Sequence, residues 1–334
     1  MPELRYVRAV AEALAEEMAR DERVILLGED VGAPGGTFAA TRGLYERFGK
    51  ERVRDTPISE TAIVGAAIGA ALNGLRPVVE VMFMDFLATC LDQVVNQMAK
   101  MRYMFGGQAR LPLVLRTHVG AGLNAGPQHS GSLEAWVVHV PGLRVVMPAT
   151  PADAKGLLKA AIRDDNPVVV IENKTLYAMK GEVPAGEHVV PIGRAAIVRE
   201  GRDVTVVACS RMVHEAVKAA DLVAAEGIGA EVLDLRTVSP LDREALLGSV
   251  AKTGRLVVAH EAWGPCGIGA EVAAVVAEEG FGALRGPIKR VTPPFTPTPF
   301  SPPLERRWLP DAARIAAAAR EVLGAGRGAA CASE

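Results

Sequence analysis

Asp55-Thr-Pro-Ile-Ser-Glu60-Thr-Ala-Ile-Val-Gly65-Ala-Ala-Ile-Gly69-Ala-Ala-Leu72 is a polar approach running into an apolar stretch, and it reads as a helix over 60–73. The apolar part falls short of the ~20 residues that a membrane span needs, and it is rich in glycine and alanine. Small residues at 65, 66, 69 and 70 keep one helical face nearly free of side chains, which lets another backbone approach closely. A glycine in a helix interior costs about 1 kcal/mol relative to alanine. The two here need compensation, either from packing within the chain or from a subunit interface. Glu60 itself has two readings. With Ser59 as N-cap it is a first-turn acid favoured by the helix dipole, worth under about 1 kcal/mol. The other, a carboxyl with a chemical role, is not carried by spacing.

On either side of this helix, short β-branched runs alternate with helical patterns. Strands are expected over 24–27, 78–82, 113–117, 145–147 and 168–172, and helices over 6–20, 86–103 and 151–163. Continuous apolar strands separated by helices imply a parallel sheet covered on both faces. The pattern loosens over 180–193 and then resumes. Strands are expected over 204–208, 231–235, 256–260 and 288–291, and helices over 211–226, 242–251, 269–279 and 310–323. The Pro-rich stretch 292–303 reads as an extended connector, since proline suits neither a helix interior nor an inner strand. The expectation is therefore α/β, with two parallel-rich α/β domains over 1–185 and 201–324, a linker at 186–200 and a tail at 325–334.

Length and composition agree. With 334 residues, 49% of them hydrophobic and 23% charged, the chain can bury two sizeable cores. A formal net charge of −2 without a basic tract gives no electrostatic case for nucleic acid or for an anionic membrane. The four cysteines (Cys90, Cys209, Cys266 and Cys331) form no metal-ligand or C-x-x-C spacing, as expected of reduced thiols in a cytoplasmic protein. The N-terminal segment carries acids along an amphipathic helix and has no apolar signal core. Phosphate loops fail the spacing test. Gly120-Ala-Gly122-Leu-Asn-Ala-Gly126 has the wrong final spacing, Gly267-Ile-Gly269 has Val272 where a third glycine should stand, and no G-x-x-x-x-G-K-[ST] occurs.

The stretch Asp55-Thr-Pro-Ile-Ser-Glu60 is similar to one in the β subunits of thiamine-diphosphate-dependent 2-oxo acid dehydrogenases of the pyruvate, acetoin and branched-chain types. Gly28-Glu-Asp-Val31, Gly74-Leu-Arg-Pro77, Asp92-Gln-Val-Val-Asn96, Gln128-His-Ser130 and Pro141-Gly-Leu-Arg-Val-Val146 extend the resemblance. So do Asp153-Ala-Lys-Gly-Leu157, Asn166-Pro-Val-Val-Val170, Asp234-Leu-Arg236, Lys252-Thr-Gly-Arg255 and Leu309-Pro-Asp-Ala312. Each string is weak alone; the ordered set, from about residue 4 to 323, is specific.

The resemblance implies a thiamine-diphosphate pyrimidine-binding domain followed by a transketolase-like C-terminal domain that serves assembly. It implies that Glu60 hydrogen-bonds a pyrimidine nitrogen of the cofactor, with Phe86 as stacking partner and Met82 as pocket wall, side chains suited to the faces and edges of the ring. His129, in a glycine-rich loop, would line the entrance and assist acyl transfer to a lipoyl group, as an imidazole titrating near neutrality can. Gly126 and Pro127 before Gln128, and Gly131 after Ser130, differ from many relatives, so the loop's shape is left open. Some relatives bind potassium through backbone carbonyls at positions matching Leu113, Ala161, Asp164 and Asn166.

In such enzymes a G-D-G motif on a separate α subunit holds the diphosphate and magnesium. No G-D-G occurs here, so this chain is expected to supply half a site within an α2β2 heterotetramer that works with a lipoyl-bearing acyltransferase core. The expected reaction is pyruvate-dehydrogenase-like oxidative decarboxylation with acyl transfer to lipoyl groups. Acetoin and branched-chain 2-oxo acids are the alternative substrates. Met82-Phe-Met-Asp-Phe86 and Arg102-Tyr-Met-Phe-Gly-Gly107 look closest to the acetoin enzymes, while Pro299-Phe-Ser-Pro-Pro-Leu304 is shared with pyruvate-type subunits.

Overall fold

The computed structural model describes residues 2–330, with side chains as far as Gly324. Two compact units emerge, one formed by Met1–Leu123 and Gln128–Ile192, the other by Asn124–Pro127 and Gly193–Glu334.

The first unit is built on strands β2 (Val24–Gly28), β3 (Val53–Asp55), β4 (Arg76–Val81), β5 (Val114–Val119), β6 (Arg144–Val146) and β7 (Val168–Asn173). They lie in the order β6-β7-β5-β4-β2-β3, and every pair among them is parallel. All residues of β2, β5 and β7 are buried, the burial that continuous valine, isoleucine and leucine runs call for when helices cover both faces. Helices α1 (Tyr6–Arg20) and α6 (Pro151–Arg163) pack together on one face. Their acids and bases interlock there, with Lys159 Nζ 2.8 Å from Glu16 and Arg163 Nη2 2.5 Å from Glu17. Helix α3 (Glu60–Leu72) joins β3 to β4. A short strand, β1 (Glu3–Arg5), pairs antiparallel with β8 (Lys180–Glu182).

The second unit has β9 (Ala196–Arg199), β10 (Val204–Ala208), β11 (Ala230–Asp234), β13 (Leu256–Ala259) and β14 (Lys289–Val291), ordered β14-β13-β10-β11-β9, with β12 a short strand at Thr237–Ser239. All the pairings are parallel except β9 with β11. Helices α7 (Met212–Ala224), α8 (Arg243–Thr253), α9 (Ile268–Glu279), α10 (Pro302–Trp308) and α11 (Ala312–Ala330) complete it. The connector before α10 is pinned by indole and guanidinium donors: Trp263 Nε1 and Trp308 Nε1 both donate to the Thr296 carbonyl, at 2.8 and 3.2 Å, and Arg314 Nη2 donates to that of Thr292 at 2.5 Å. Asn124–Pro127 belongs here too. The Asn124 N–H donates to Glu305 at 3.1 Å, and the Phe300 ring stands 3.1 Å from where a β-carbon on Gly126 would lie.

Several expectations need correction. The span 186–200 is not all linker, because 196–199 forms the antiparallel edge strand β9. Pro302 and Pro303 begin a helix rather than prolonging the connector, since proline has no N–H to lose in a first turn. The helix expected over 86–103 is broken into a 3-10 segment (Met84–Cys90), a π-helical turn (Gln93–Met98) and α4 (Met101–Met104). The Thr89 hydroxyl donates to the Phe86 carbonyl and the Thr61 hydroxyl to that of Thr89, competing with helical N–H donors. Ser59 precedes α3 but makes no side-chain capping bond. The expected tail at 325–334 overlaps α11 at its start, and its end, with Cys331, lies outside the described residues. Among those residues no helix is long and apolar enough to cross a membrane.

Candidate functional site

In the first unit the chain passes from β2 to β3 on one side of β2 and then returns through α3 to β4 on the other side. This reversal creates a crevice beyond the carboxyl ends of β2 and β4, the position at which open parallel sheets bind ligands. Glu29 follows β2, Met82 and Phe83 follow β4, and Glu60 is the first residue of α3.

Glu60 is 9% exposed, and no donor among the described residues hydrogen-bonds its carboxylate. Its charge is nevertheless felt nearby. Burial, reinforced by Glu60, pushes the Cys90 thiol up to about 12. Burial first, then Glu60, raises the carboxyl of Glu29, itself 9% exposed. A carboxyl this little exposed and without a protein donor has its acceptor capacity unused, so the arrangement suits a ligand that brings a nitrogen donor to it.

The hydrogen bonds from Thr61 to Thr89 and from Thr89 to Phe86 tie the start of α3 to the aromatic turn. Phe86 and Met82 are half-buried. The His118 Nδ1–H donates to the Met82 carbonyl at 2.5 Å, which holds the main chain as it leaves β4. Phe83 joins the group edge-on to Phe86, with 5.4 Å between ring centroids. The His129 imidazole stands edge-on to both, 4.9 Å from Phe83 and 5.4 Å from Phe86. Aromatic and thioether side chains, carboxyls and an imidazole thus gather at the carboxyl side of one sheet; apolar groups suit the faces of a pyrimidine ring and a carboxyl suits its nitrogens, so the residues present fit the ring half of thiamine diphosphate.

Behind the cleft lies a buried ionic network. Arg116, fully buried, donates to Glu80 at 2.6 Å and to both oxygens of Glu172, at 2.8 and 2.9 Å; the Tyr177 hydroxyl donates to Glu172 at 2.5 Å. Although burial opposes it, the Arg116 guanidinium holds the Glu172 carboxyl below the usual range. Fully paired, such a network fixes neighbouring strands rigidly.

The four positions matched to a potassium site lie at the end of α6 and along the adjoining edge. Arg76 reaches this end: its Nη1 donates to the carbonyls of Ile162 and Asp164 at 3.4 and 3.2 Å, and its Nη2 to that of Arg163 at 3.4 Å. The Leu113 carbonyl accepts from the Val168 N–H and the Ala161 carbonyl from the Asp164 N–H, while the Asn166 side chain bonds Arg102 and Asp164. Sequence reasoning did not single out Glu29, Phe83, Asp85, Arg116 or Lys174. For Glu29, Phe83 and Lys174 a signal existed, since each stands within two residues of the end of an expected parallel strand. For Arg116 there was none beyond a charged residue inside an apolar run.

Residues 3–180 match the family described as transketolase, pyrimidine binding domain, and residues 193–315 match transketolase, C-terminal domain. The chain is 52% identical over 329 residues to the β subunit of acetoin:2,6-dichlorophenolindophenol oxidoreductase of Cupriavidus necator, covering 96% of this chain and 97% of that relative. It is 46% identical to the β subunit of 2-oxoisovalerate dehydrogenase of Bacillus subtilis (96% and 99% covered) and 45% identical to that of pyruvate dehydrogenase E1 from the same organism (97% and 99%). A solved split-gene transketolase, described as an inactive β4 tetramer, shares the fold with a TM-score of 0.80 at 24% identity, covering 97% of this chain and 99% of that one. The chain belongs to the transketolase-like β-subunit family of the thiamine-diphosphate-dependent 2-oxo acid and acetoin dehydrogenases.

Proposed function

We propose that this chain supplies the pyrimidine-binding half of a thiamine-diphosphate site completed by an α subunit in an α2β2 heterotetramer. The enzyme catalyses oxidative decarboxylation of a 2-oxo acid and passes the acyl group to the lipoyl group of an acyltransferase component. The observation that carries the reading is the Glu60 carboxyl, 9% exposed as the first residue of α3 at the carboxyl side of the sheet, with no hydrogen-bond donor among the described residues. When bound, thiamine diphosphate supplies the nucleophilic carbon that adds to the substrate carbonyl. Glu60 shares a proton with a pyrimidine nitrogen, Phe86 and Met82 pack against the ring and keep water from it, and His129 handles a proton at the entrance during acyl transfer. The diphosphate and magnesium belong to the α subunit, because this chain has no G-D-G motif to hold them. The carbonyls of Leu113, Ala161, Asp164 and Asn166 would hold potassium, the Asp164 carbonyl also accepting from Arg76.

In the enzyme reconstituted with its α subunit, Glu60→Gln should lower turnover by about 10²-fold or more, the usual scale for a positioned proton-transfer group. Wild-type turnover would end the assignment. A second reading has a specific observation in its favour. The β subunits of acetoin:2,6-dichlorophenolindophenol oxidoreductase from C. necator and B. subtilis share 52% and 49% identity with this chain, against 46% and 45% for the branched-chain and pyruvate types. Assaying acetoin, pyruvate and branched-chain 2-oxo acids side by side decides between the substrates.

A further inference from the structure

The loop that carries His129 is rich in glycine, and among the described residues no group hydrogen-bonds the imidazole nitrogens. The ring's placement therefore depends on aromatic packing and on where the main chain is held. Two charged side chains hold it. Lys174, directly after β7 and 4% exposed, donates from Nζ to the His129 carbonyl. The same ammonium lies 5.4 Å from the centroid of Phe83, one of the rings against which the imidazole packs. Two residues beyond His129, the Gly131 N–H donates to Asp85 Oδ2 at 3.1 Å. A β-carbon on Gly131 would stand 2.5 Å from Asp85 Oδ1, so the close approach relies on glycine and accounts for its presence here. Asp85 also immediately precedes Phe86, so moving it moves the other ring.

We infer that Lys174 and Asp85 are positioning residues for His129: they clamp its main chain from two sides so that the imidazole stands edge-on to Phe83 and Phe86 at the mouth of the cofactor cleft. The inference rests on the proposed role of His129 in acyl transfer and deepens it. Burial raises the Asp85 carboxyl, while the Gly131 N–H and the charge of Lys174 counter that rise, so the parts of the clamp support one another. A catalytic group displaced by about 1 Å loses about 10²-fold in rate, which is the scale of effect a main-chain clamp guards against.

The test uses the enzyme reconstituted with its α subunit and two rates on one preparation. Dye-linked turnover with 2,6-dichlorophenolindophenol needs no lipoyl group; acylation of free lipoyl domain does. The substrate is acetoin or pyruvate, whichever turns over. Lys174→Met should lower the ratio of lipoyl-dependent to dye-linked rate by about 10-fold or more, with the KM for lipoyl domain unchanged. Lys174→Arg should restore most of that ratio, and Lys174→Met combined with His129→Ala should be no slower than His129→Ala alone. Should Lys174→Met fail to assemble, Asp85→Ala reads the same ratio. Both rates falling in step would overturn the inference, as would an unchanged ratio in Lys174→Met when His129→Ala lowers it. An unchanged ratio in His129→Ala would instead overturn the role of His129 beneath it.

Discussion

Gly142 adopts φ +99°, and a β-carbon on it would stand 2.0 Å from the Ala99 carbonyl oxygen. Backbone strain and a clash with main chain act together there, so Gly142→Ala should cost about 3 kcal/mol or more; a melting temperature equal to wild type would contradict this. His260, 1% exposed at the end of β13, has no hydrogen-bond partner for either ring nitrogen among the described residues. Burial, helped by Arg290, pushes its pKa down to about 4 from 6.5. Its folded pKa is depressed, so the unfolded chain binds the extra proton first. Stability should therefore fall as pH drops through 6.5 and keep falling to about 4. At about 1.4 kcal/mol per pH unit the loss approaches 3 kcal/mol. Chemical denaturation of wild type and His260→Leu across that range checks this, since the variant should lose less stability over the interval; parallel curves would refute it.

At the scale of elements, α3 shows what sequence can and cannot carry. Its run of small residues predicted a bare face but left two uses open. Among the described residues, and apart from the helix's own backbone, nothing lies within 4 Å of a β-carbon built on Gly69, and Gly65 meets the Gln93 side-chain amide at 3.4 Å. Packing among the described residues therefore does not account for Gly69, which leaves the subunit interface that the sequence offered as the second use. Gly69→Leu should then stabilise the isolated chain by up to about 1 kcal/mol, since leucine is the better helix former, yet abolish co-purification with the α subunit. Undiminished co-purification would return the face to solvent. Long periodic elements were legible: α1 and α6 were expected over the ranges observed, and β10 likewise. The broken segment from Met84 to Met104 was not, because its breaks come from hydroxyl donors, one of them on α3, which no local pattern encodes.

At the scale of the molecule, the alternation of apolar runs and helices carried the class of both units. The order of strands, and with it the crevice between β2 and β4, required the fold. The site was legible in part for the same reason. Glu60, Met82, Phe86 and His129 came forward through resemblance, and the structure brings Glu60, Phe86 and His129 to the carboxyl side of one sheet with Met82 at the end of β4. Arg116 and Asp85 act through partners distant in sequence, Glu80 and Glu172 for the first and Gly131 for the second, and so left no local trace. The most direct test of the central claim is the structure of the complex with its α subunit and thiamine diphosphate. A Glu60 carboxylate oxygen should lie about 2.6–3.0 Å from a pyrimidine nitrogen; a separation beyond about 4 Å, or Glu29 in that place, would contradict the account.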